Sequence, residues 1–256
     1  MILSKIINLI RRNGIVETIK IIIKYPFTLW KRRNHEKLLV SMNKEDKFTW
    51  VYKNNYWGSD ESLSGPGSTL YYTENLRKEL PKLITDFNIN SVLDAPCGDF
   101  NWMKVLLPVL NVNYIGADIV QDLVDSHNSN YKNEVIQFLK LNLITDNLPY
   151  ADLLICRDCL LHLSNEDIQS ILTNFVNSKI SYLLITTYKN KNNFQNKNIK
   201  STYWHTVPAR EIDLFLYPFN FPTNPLARID DWMPPEQEKE MCLFSREQIL
   251  SIKKPL

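Results

Sequence analysis

Two acidic residues each end a short apolar run, and the two runs lie about twenty residues apart in the chain. Asp94 ends the run that begins at Ser91, and Asp118 ends the run that begins at Asn113. A tight turn with Gly98 follows Asp94, and a strand, a turn and a helix in this order bring backbone N–H groups up to a ligand. An acid at the end of the next strand can accept hydrogen bonds from a ribose diol. The spacing therefore indicates an adenosine-containing cofactor.

A second group of reactive side chains lies further along the chain. Asp158 and His162 are four residues apart, so on a helix they would share a face. A carboxylate beside an imidazole orients the ring and raises its basicity, which suits a general base that takes a proton from a hydroxyl. Arg157 has the forked guanidinium that binds carboxylate or phosphate, and a structural ion pair is the alternative role for it.

The common nucleotide-binding patterns G-x-G-x-x-G and G-x-x-x-x-G-K-[ST] do not occur in this sequence. Because the sequence lacks a glycine-rich loop that could bind a pyrophosphate, a pyrophosphate-containing cofactor is not favoured. Cys156 and Cys159 have C-x-x-C spacing, but no second cysteine pair or histidine pair accompanies them. A zinc site is therefore not predicted, and packed, reduced thiols are the simpler explanation.

The elements that would position these residues alternate between strands and helices, which predicts a parallel sheet with helices on both faces. Continuous apolar runs at 153–156 and 182–186 are typical of strands that are covered on both sides. We predict an α/β, Rossmann-like sheet with a mixed edge, where a last strand near 241–244 runs antiparallel. The predicted strands cover 91–95, 113–118, 135–139, 152–156 and 182–187, and the predicted helices cover 69–87, 100–109, the segment from 121 onward and 165–177. Pro81 is expected to break the first of these helices or to lie in a first turn.

The N-terminal residues differ in charge from the rest of the chain. Residues 1–40 hold nine Lys or Arg and two Glu, a net charge of +7, whereas the whole chain is +2 and the remainder is therefore −5. The apolar stretch is broken by charged residues, so we expect neither a signal peptide nor a membrane span. We predict a basic amphipathic helical extension over 1–45 that contacts an anionic membrane surface, docks on a partner, or packs on the body as a cap. The near-neutral total charge does not favour a nucleic-acid partner.

Residues 46–256 are enough for one large domain, and 44% of the chain is hydrophobic. Within it, residues 57–68 contain four serines, three glycines and a proline. This composition predicts a loop that closely approaches a ligand, or a surface linker. The Lys- and Asn-rich segment 189–200 is a predicted solvated loop, placed where a mobile lid would also fit. Residues 201–256, rich in proline and aromatic residues, are a predicted C-terminal elaboration.

The motifs at 94–99 and 151–164 resemble motifs I and IV of class I S-adenosylmethionine-dependent methyltransferases. Motif I of that family is D-x-G-x-G-x-G, and Pro96, Gly98 and Phe100 stand at the three glycine positions here. A bacterial group encoded with surface-polysaccharide genes also has a W-G-x-x-E-S-x-S-G-x-G-S-type loop ahead of D-x-P-C-G-D-F-N-W-M, followed by C-R-D-x-L-x-H-L-S. The resemblance to that group covers roughly residues 50–190.

The resemblance implies methyl transfer from S-adenosylmethionine to an oxygen of a small acceptor, a sugar or phosphate-type substituent in capsule or lipopolysaccharide biosynthesis. It implies that Asp94 and Gly98 lie on the methionine and ribose side of the cofactor, that Asp118 binds the ribose, and that Asn142 lies near the adenine amino group, where relatives often carry an acid. It also implies that the loop 57–68 closes over cofactor or substrate. The predicted cofactor-binding residues are Asp94, Ala95, Pro96, Cys97, Gly98, Asp99, Asn101, Trp102, Asp118, Ile119, Asn142, Arg157 and Ser68, and the predicted catalytic residues are Arg157, Asp158 and His162.

Two other interpretations stay open. One is a non-catalytic module that binds a cofactor or recruits partners through its basic arm. The other is a nucleotide-sugar oxidoreductase, although the missing three-glycine fingerprint counts against it. We expect a cytoplasmic protein with a small-molecule or glycan-linked substrate, and residues 1–40 could bring it to the periphery of the inner membrane.

Overall fold

The computed structural model describes Leu39 and residues 42–189, 195–198, 209–234 and 236–252. The predicted basic extension over 1–45 therefore lies outside the described residues, except for Leu39 and residues 42–45. Most of the predicted loop 189–200 and the first part of the C-terminal segment, 201–208, lie outside them as well. The compact unit that carries the sheet begins at Asn43.

The strands of the described residues are β1 (Ser91–Asp94), β2 (Asn113–Asp118), β3 (Ile136–Lys140), β4 (Leu153–Cys156), β5 (Tyr182–Tyr188), β6 (Ala227–Asp230) and β7 (Lys239–Ser245). They form one seven-stranded sheet in the order β3-β2-β1-β4-β5-β7-β6. The pairs from β3 to β5 are parallel, and β7 runs antiparallel to β5 and β6. This topology confirms the predicted Rossmann-like sheet with a mixed edge.

The helices of the described residues are α1 (Lys44–Lys53), α2 (Glu74–Asp86), α3 (Met103–Leu106), α4 (Gln121–Tyr131), α5 (Asn165–Asn177) and α6 (Arg246–Leu250). Short 3₁₀ helices cover Pro66–Ser68, Leu107–Val109 and Leu160–His162. Asn43, Ser164 and Ser245 each accept a hydrogen bond from a backbone N–H of the first turn that follows, which fixes the starts of α1, α5 and α6. No helix in the described part of the chain is long and apolar enough to cross a membrane.

The strands of the sheet centre are buried on both faces. All four residues of β4 and the five central residues of β5 are buried, as the continuous apolar runs predicted. The strand order changes direction at β1, with β2 and β3 on one side and β4 and β5 on the other. Such a switch point leaves a crevice at the carboxyl ends of the strands. Asp94, Asp118 and Arg157 follow or end three of these strands, so the fold brings them to the same edge.

Two local predictions differ from the structure. Pro81 lies inside α2, which continues through it because Leu76, Leu80 and Leu83 pack as one buried stripe on either side of the proline. The helix predicted over 100–109 is shortened to α3 and the following 3₁₀ turn. Its first residue, Phe100, adopts a left-handed φ of 61° and is buried, so it belongs to the turn and not to the helix.

Candidate functional site

A cavity opens at the carboxyl ends of β1, β2 and β4, in the crevice of the sheet. Its walls are largely apolar and include residues of α1, of the loop 57–68 and of the segments after β2 and β3. Most of the predicted site residues are brought together here. The predicted residues that line the cavity are Ser68, Asp94, Ala95, Pro96, Cys97, Gly98, Trp102, Asp118, Ile119, Asn142, Arg157, Asp158 and His162. Asp99 and Asn101 are not among its lining residues.

The turn after β1 requires glycine at position 98. Gly98 has a φ of 54°, a conformation that residues with a side chain rarely adopt. A Cβ atom at this position would lie 2.2 Å from the Ser64 Oγ, so the serine hydroxyl occupies the space that a side chain would need. The backbone N–H of Gly98 donates to Asp118 Oδ2 at 3.0 Å, which ties the turn to the end of β2.

Asp118 is buried and accepts hydrogen bonds from two backbone groups, with Gly98 on Oδ2 and the N–H of Val120 on Oδ1 at 3.0 Å. Burial raises the pKa of Asp118, and the two backbone hydrogen bonds only partly oppose this. A carboxylate has about four acceptor positions, so both oxygens of Asp118 keep capacity for hydroxyl donors from a ligand.

Asp94 is 2% exposed, and its Oδ2 accepts a hydrogen bond from the Tyr114 hydroxyl at 2.7 Å. Burial raises the pKa of Asp94 to about 7, although the Tyr114 hydroxyl lowers it. Tyr114 lies on β2, where it pairs with Val92 of β1. The sequence analysis did not single it out, because a tyrosine inside an apolar strand looks like an ordinary core residue.

Asp99 and Asn101 bind the loop 57–68 instead of lining the cavity. The carboxylate of Asp99 accepts from the Ser62 hydroxyl at 3.1 Å and from the backbone N–H of Leu63 at 2.7 Å. The side-chain amide of Asn101 donates to Glu61 Oε1 at 2.7 Å and to the backbone oxygen of Ser68 at 3.1 Å. The first predicted motif therefore holds the Ser- and Gly-rich loop in place over the edge of the sheet.

Arg157 forms the structural ion pair that the sequence left open as its alternative role. Its Nε and one terminal nitrogen donate to the two carboxylate oxygens of Asp231 at 2.8 Å and 2.9 Å. The same terminal nitrogen donates to the backbone oxygen of Gly67 at 2.7 Å. The Arg157 side chain is only 4% exposed. Its fork therefore joins β4 to the C-terminal strands and to the Ser- and Gly-rich loop.

Asp158 is held by Lys239, which donates from its Nζ to both carboxylate oxygens. Burial raises the pKa of Asp158. The positive charges of Lys239 and Arg157, and more weakly of His162, outweigh this effect and bring the pKa of Asp158 down to about 2. Asp158 has a left-handed φ of 48° and precedes the 3₁₀ helix that ends at His162. The expectation that Asp158 and His162 share one helical face is therefore wrong, although both residues line the cavity.

His162 lies against aromatic residues from the N-terminal side of the domain. Its ring stacks on Trp57, with ring centroids 5.0 Å apart and planes 29° apart, and Phe48 meets its edge at 6.2 Å. Trp57 and Phe48 also line the cavity, on the side of α1. Both lie about a hundred residues before His162 in the chain. Their contact with the histidine is a product of the fold that no local spacing indicates.

Asn142 lies at the cavity wall after β3. Its side-chain carbonyl oxygen accepts a hydrogen bond from the backbone N–H of Ile144 at 3.0 Å. One lone pair of this oxygen therefore remains for a ligand. Leu141, Leu143 and Ile144 surround it and give this end of the cavity an apolar character.

Asp231 and Lys239, which complete the ion pairs of Arg157 and Asp158, were not among the site residues predicted from the sequence. They lie more than seventy residues after those partners, Asp231 directly after β6 and Lys239 at the start of β7. No spacing rule connects residues so far apart. One cue was available for Lys239, which lies just before the predicted strand near 241–244, but charged residues at strand ends are common.

No protein-family model matches the chain, and no curated protein matches its sequence. Solved structures do share its fold. The N-methyltransferase NodS from Bradyrhizobium japonicum, in complex with S-adenosyl-L-homocysteine, has a TM-score of 0.52 and 12% identity, over 76% of this chain and 97% of that chain. This is a methyltransferase fold.

Two further solved structures support the same conclusion about the fold. The magnesium protoporphyrin IX methyltransferase from Synechocystis, with bound S-adenosylhomocysteine, has a TM-score of 0.53 and 12% identity, over 80% of this chain and 95% of that chain. The 1,6-didemethyltoxoflavin-N1-methyltransferase from Burkholderia thailandensis has a TM-score of 0.55 and 13% identity, over 78% and 86%. These neighbours are S-adenosylmethionine-dependent methyltransferases, and the names of the latter two describe different acceptors.

Proposed function

We propose that this protein transfers a methyl group from S-adenosylmethionine to an oxygen of a small acceptor. One observation carries the proposal: Asp94, Gly98 and Asp118 lie at the neighbouring ends of β1 and β2 and line the same cavity as His162. In a sheet of this topology, the crevice at the carboxyl ends of the strands is where ligands bind. The methyltransferase fold also supports S-adenosylmethionine as the cofactor.

The residues of the cavity fit S-adenosylmethionine. Within the described part of the chain, Asp94 and Asp118 are buried carboxylates that form no salt bridge, so a ligand with a positive charge and hydroxyl donors would satisfy them. The glycine at position 98 allows a ligand to approach the backbone closely. Apolar residues after β2 and β3, such as Leu123 and Leu141, suit the faces of a purine ring.

When bound, S-adenosylmethionine supplies the methyl group from a sulfonium centre. We assign Asp118 to the ribose hydroxyls, Asp94 and Gly98 to the methionine and ribose side, and Asn142 to the adenine amino group. The remaining task of the protein is to align an acceptor oxygen with the methyl group and to exclude water. The loop 57–68, which Asp99 holds against the turn after β1, covers this part of the site and suits the second task.

His162 is the proposed general base. It lines the cavity, and Asp158 close to it stays ionised throughout the neutral range because its pKa is about 2. A nearby anion stabilises the imidazolium that forms when His162 takes the acceptor hydroxyl proton. We assign Arg157, together with Lys239, to holding Asp158 and the end of β4, because the donors of Arg157 are engaged with other groups. This replaces its expected role as an anchor for an anionic acceptor.

The proposed acceptor is a sugar or a phosphate-type substituent used in surface-glycan biosynthesis. This part of the proposal depends on the sequence resemblance to bacterial methyltransferases encoded with surface-polysaccharide genes. The aromatic wall formed by Phe48 and Trp57 is compatible with a sugar ring, because aromatic side chains pack against its apolar face. A phosphate-type oxygen is already ionised and would need no general base.

Calorimetry with S-adenosylhomocysteine tests the cofactor. We expect saturable binding to the full chain and none of NAD under the same conditions. Binding of NAD in place of S-adenosylhomocysteine would support a nucleotide-sugar oxidoreductase. Binding of S-adenosylhomocysteine without methyl transfer to any of the sugars, sugar phosphates and amino sugars tested would favour a non-catalytic module.

Labelled S-adenosylmethionine tests the acceptor. The full chain is incubated with sugars, sugar phosphates and amino sugars, and the position of the methyl group in each product is determined by NMR. We expect an O-methyl product from a sugar or sugar phosphate. A product methylated only on nitrogen would contradict the proposed oxygen acceptor while leaving methyl transfer in place.

We also propose that the basic residues 1–40 contact an anionic membrane surface, which would place a cytoplasmic protein at the periphery of the inner membrane. The proposal is based on the net charge of +7 of this segment. Flotation of the full chain with anionic vesicles at low salt should show binding that neutral vesicles do not. A variant with Arg11→Glu and Arg12→Glu should float less, and unchanged flotation would contradict the electrostatic contact.

A further inference from the structure

His127 contacts the turn after β1 from outside the cavity. It lies on α4 and is 5% exposed, and its Nε2 is 2.8 Å from the backbone oxygen of Gly98. A carbonyl oxygen only accepts hydrogen bonds, so Nε2 must carry the proton. His127 is not among the residues that line the cavity, so any effect on a ligand passes through Gly98.

The hydrogen bond from His127 holds one side of the Gly98–Asp99 peptide group, and Ser64 holds the other side. The N–H of Asp99 donates to Ser64 Oγ at 2.9 Å. In a trans peptide the C=O and the N–H point in opposite directions, and the peptide bonds of cis geometry lie elsewhere. One peptide plane is therefore fixed between α4 on one side and the loop 57–68 on the other.

The polar contact of His127 is unusual for its surroundings. The ring is packed among Phe100, Phe138 and Tyr131, with centroid distances of 5.8 Å, 4.9 Å and 6.0 Å. Burial lowers the pKa of His127, although the hydrogen bond to Gly98 raises it, so the neutral ring with a proton on Nε2 is the form that donates at neutral pH.

We propose that His127 is a positioning residue for the cofactor turn. It orients the Gly98–Asp99 peptide so that the N–H of Asp99 reaches Ser64, and it holds in place the residue whose own N–H, in the preceding peptide, donates to Asp118. Through this one peptide, the histidine couples the cofactor-binding turn to the loop that covers the site. The inference rests on the proposed function, because it assigns His127 to the binding of S-adenosylmethionine.

His127→Phe tests the proposal, because it keeps an aromatic ring and removes the donor. We expect S-adenosylhomocysteine to bind the full-length variant about five- to tenfold more weakly, since a buried carbonyl is left without its hydrogen bond. His127→Gln places an amide N–H near the position of Nε2 and should restore the affinity to within about twofold of the wild type. If His127 only filled space, His127→Gln would not restore the affinity for S-adenosylhomocysteine that His127→Phe loses.

Asn128→Ala is the matched control on the same helix. The Asn128 side chain exchanges two hydrogen bonds with Phe138 of β3, at 2.9 Å and 3.1 Å, and does not contact the turn at Gly98. This variant should lose stability in urea but keep its affinity for S-adenosylhomocysteine. Equal loss of affinity in Asn128→Ala and His127→Phe, or unchanged affinity in His127→Phe, would overturn the proposal.

Hydrogen exchange in the free protein tests the same peptide without any ligand. The backbone amides of residues 62–65 and 99 should exchange faster in His127→Phe than in Asn128→Ala. Ser64→Ala, which removes the acceptor on the opposite side of the peptide, should accelerate exchange at residue 99 and gives the reference for a released peptide, and His127→Leu serves if His127→Phe does not fold. If the wild type does not bind S-adenosylhomocysteine, the proposed function fails, but the exchange measurement still decides whether His127 holds the peptide. Equal exchange in all variants would exclude the coupling.

Discussion

The buried ionisable side chains on the two sides of the cavity have different kinds of partner. At the ends of β1 and β2, Asp94 and Asp118 accept hydrogen bonds from neutral donors, a tyrosine hydroxyl and backbone N–H groups. Burial raises the pKa of both carboxyl groups, to about 7 for Asp94. These two acids therefore bear a desolvation cost that a positively charged ligand would relieve.

After β4, each buried charge has a partner of opposite sign. Arg157 pairs with Asp231, and Lys239 pairs with Asp158, with a further contact of 3.5 Å between Lys239 and Asp231. These contacts bring the pKa of Asp158 down to about 2 despite its burial. The first side therefore suits the proposed cationic ligand, whereas the ion pairs of the second side form a fixed frame that also holds the loop 57–68 through the bond from Arg157 to Gly67.

Lys239→Met gives the largest expected effect, because it removes one partner of the fixed frame. Asp158 and Asp231 would then share one remaining cation, and breaking a buried ion pair in this way costs about 3–5 kcal/mol in free energy of unfolding. Urea unfolding measures this. Lys82→Met, which breaks an exposed pair with Glu79, should cost less than about 1 kcal/mol. A similar small loss for both variants would show that the frame after β4 does not stabilise the protein.

His162→Gln tests whether catalysis and cofactor binding depend on different sides of the cavity. We expect kcat to fall about a hundredfold or more, because the proposed base is lost, while the affinity for S-adenosylhomocysteine stays within about twofold. Single-turnover methyl transfer and calorimetry measure the two quantities. Unchanged kcat would remove His162 as the base and would indicate an acceptor oxygen that is already ionised.

Asp118→Ala tests the side that receives the ligand. The variant loses the hydrogen bonds to the ribose, so S-adenosylhomocysteine should bind about thirtyfold more weakly. Asp118→Asn keeps one acceptor oxygen and should lose about half of that free energy. Calorimetry gives both dissociation constants, and wild-type affinity in Asp118→Ala would refute the assignment of Asp118 to the ribose.

The smallest effect concerns the pH dependence of stability at Asp94. Its folded pKa of about 7 lies above the ordinary value of about 3.9, so the folded protein keeps this proton longer than the unfolded chain. The stability contributed by the proton is present below about pH 4 and is lost as the pH rises to about 7. Asp94→Asn cannot titrate, so its advantage over the wild type should be about 1–2 kcal/mol at pH 5 and should rise further toward pH 7.

Urea unfolding at several pH values measures this gain. The exposed Asp60→Asn serves as the control and should follow the wild-type profile. A parallel pH profile for Asp94→Asn and the wild type would show that the Asp94 carboxyl does not bear the expected desolvation cost.

The strands β1 to β5 and β7 could be predicted because local patterns in the sequence indicate them, whereas β6 was not predicted. The apolar runs at β4 and β5 and the turn residues between elements reflect burial and backbone geometry, which depend on neighbours in sequence. The bounds of β2 and α5 agree with the prediction at both ends. Errors arose where tertiary packing overrode a local preference, as in α2, where a buried apolar stripe carries the helix through Pro81.

For the candidate site, the sequence by itself determined which residues end the strands, and hence that Asp94, Gly98 and Asp118 would meet at one edge of the sheet. Only the tertiary structure decided what each side chain does there. It turned Asp99 toward Ser62, occupied the fork of Arg157 with Asp231, and brought Trp57 onto His162. The reason is physical: strand ends follow from local burial patterns, whereas hydrogen bonds and ion pairs between distant segments depend on how the whole chain packs.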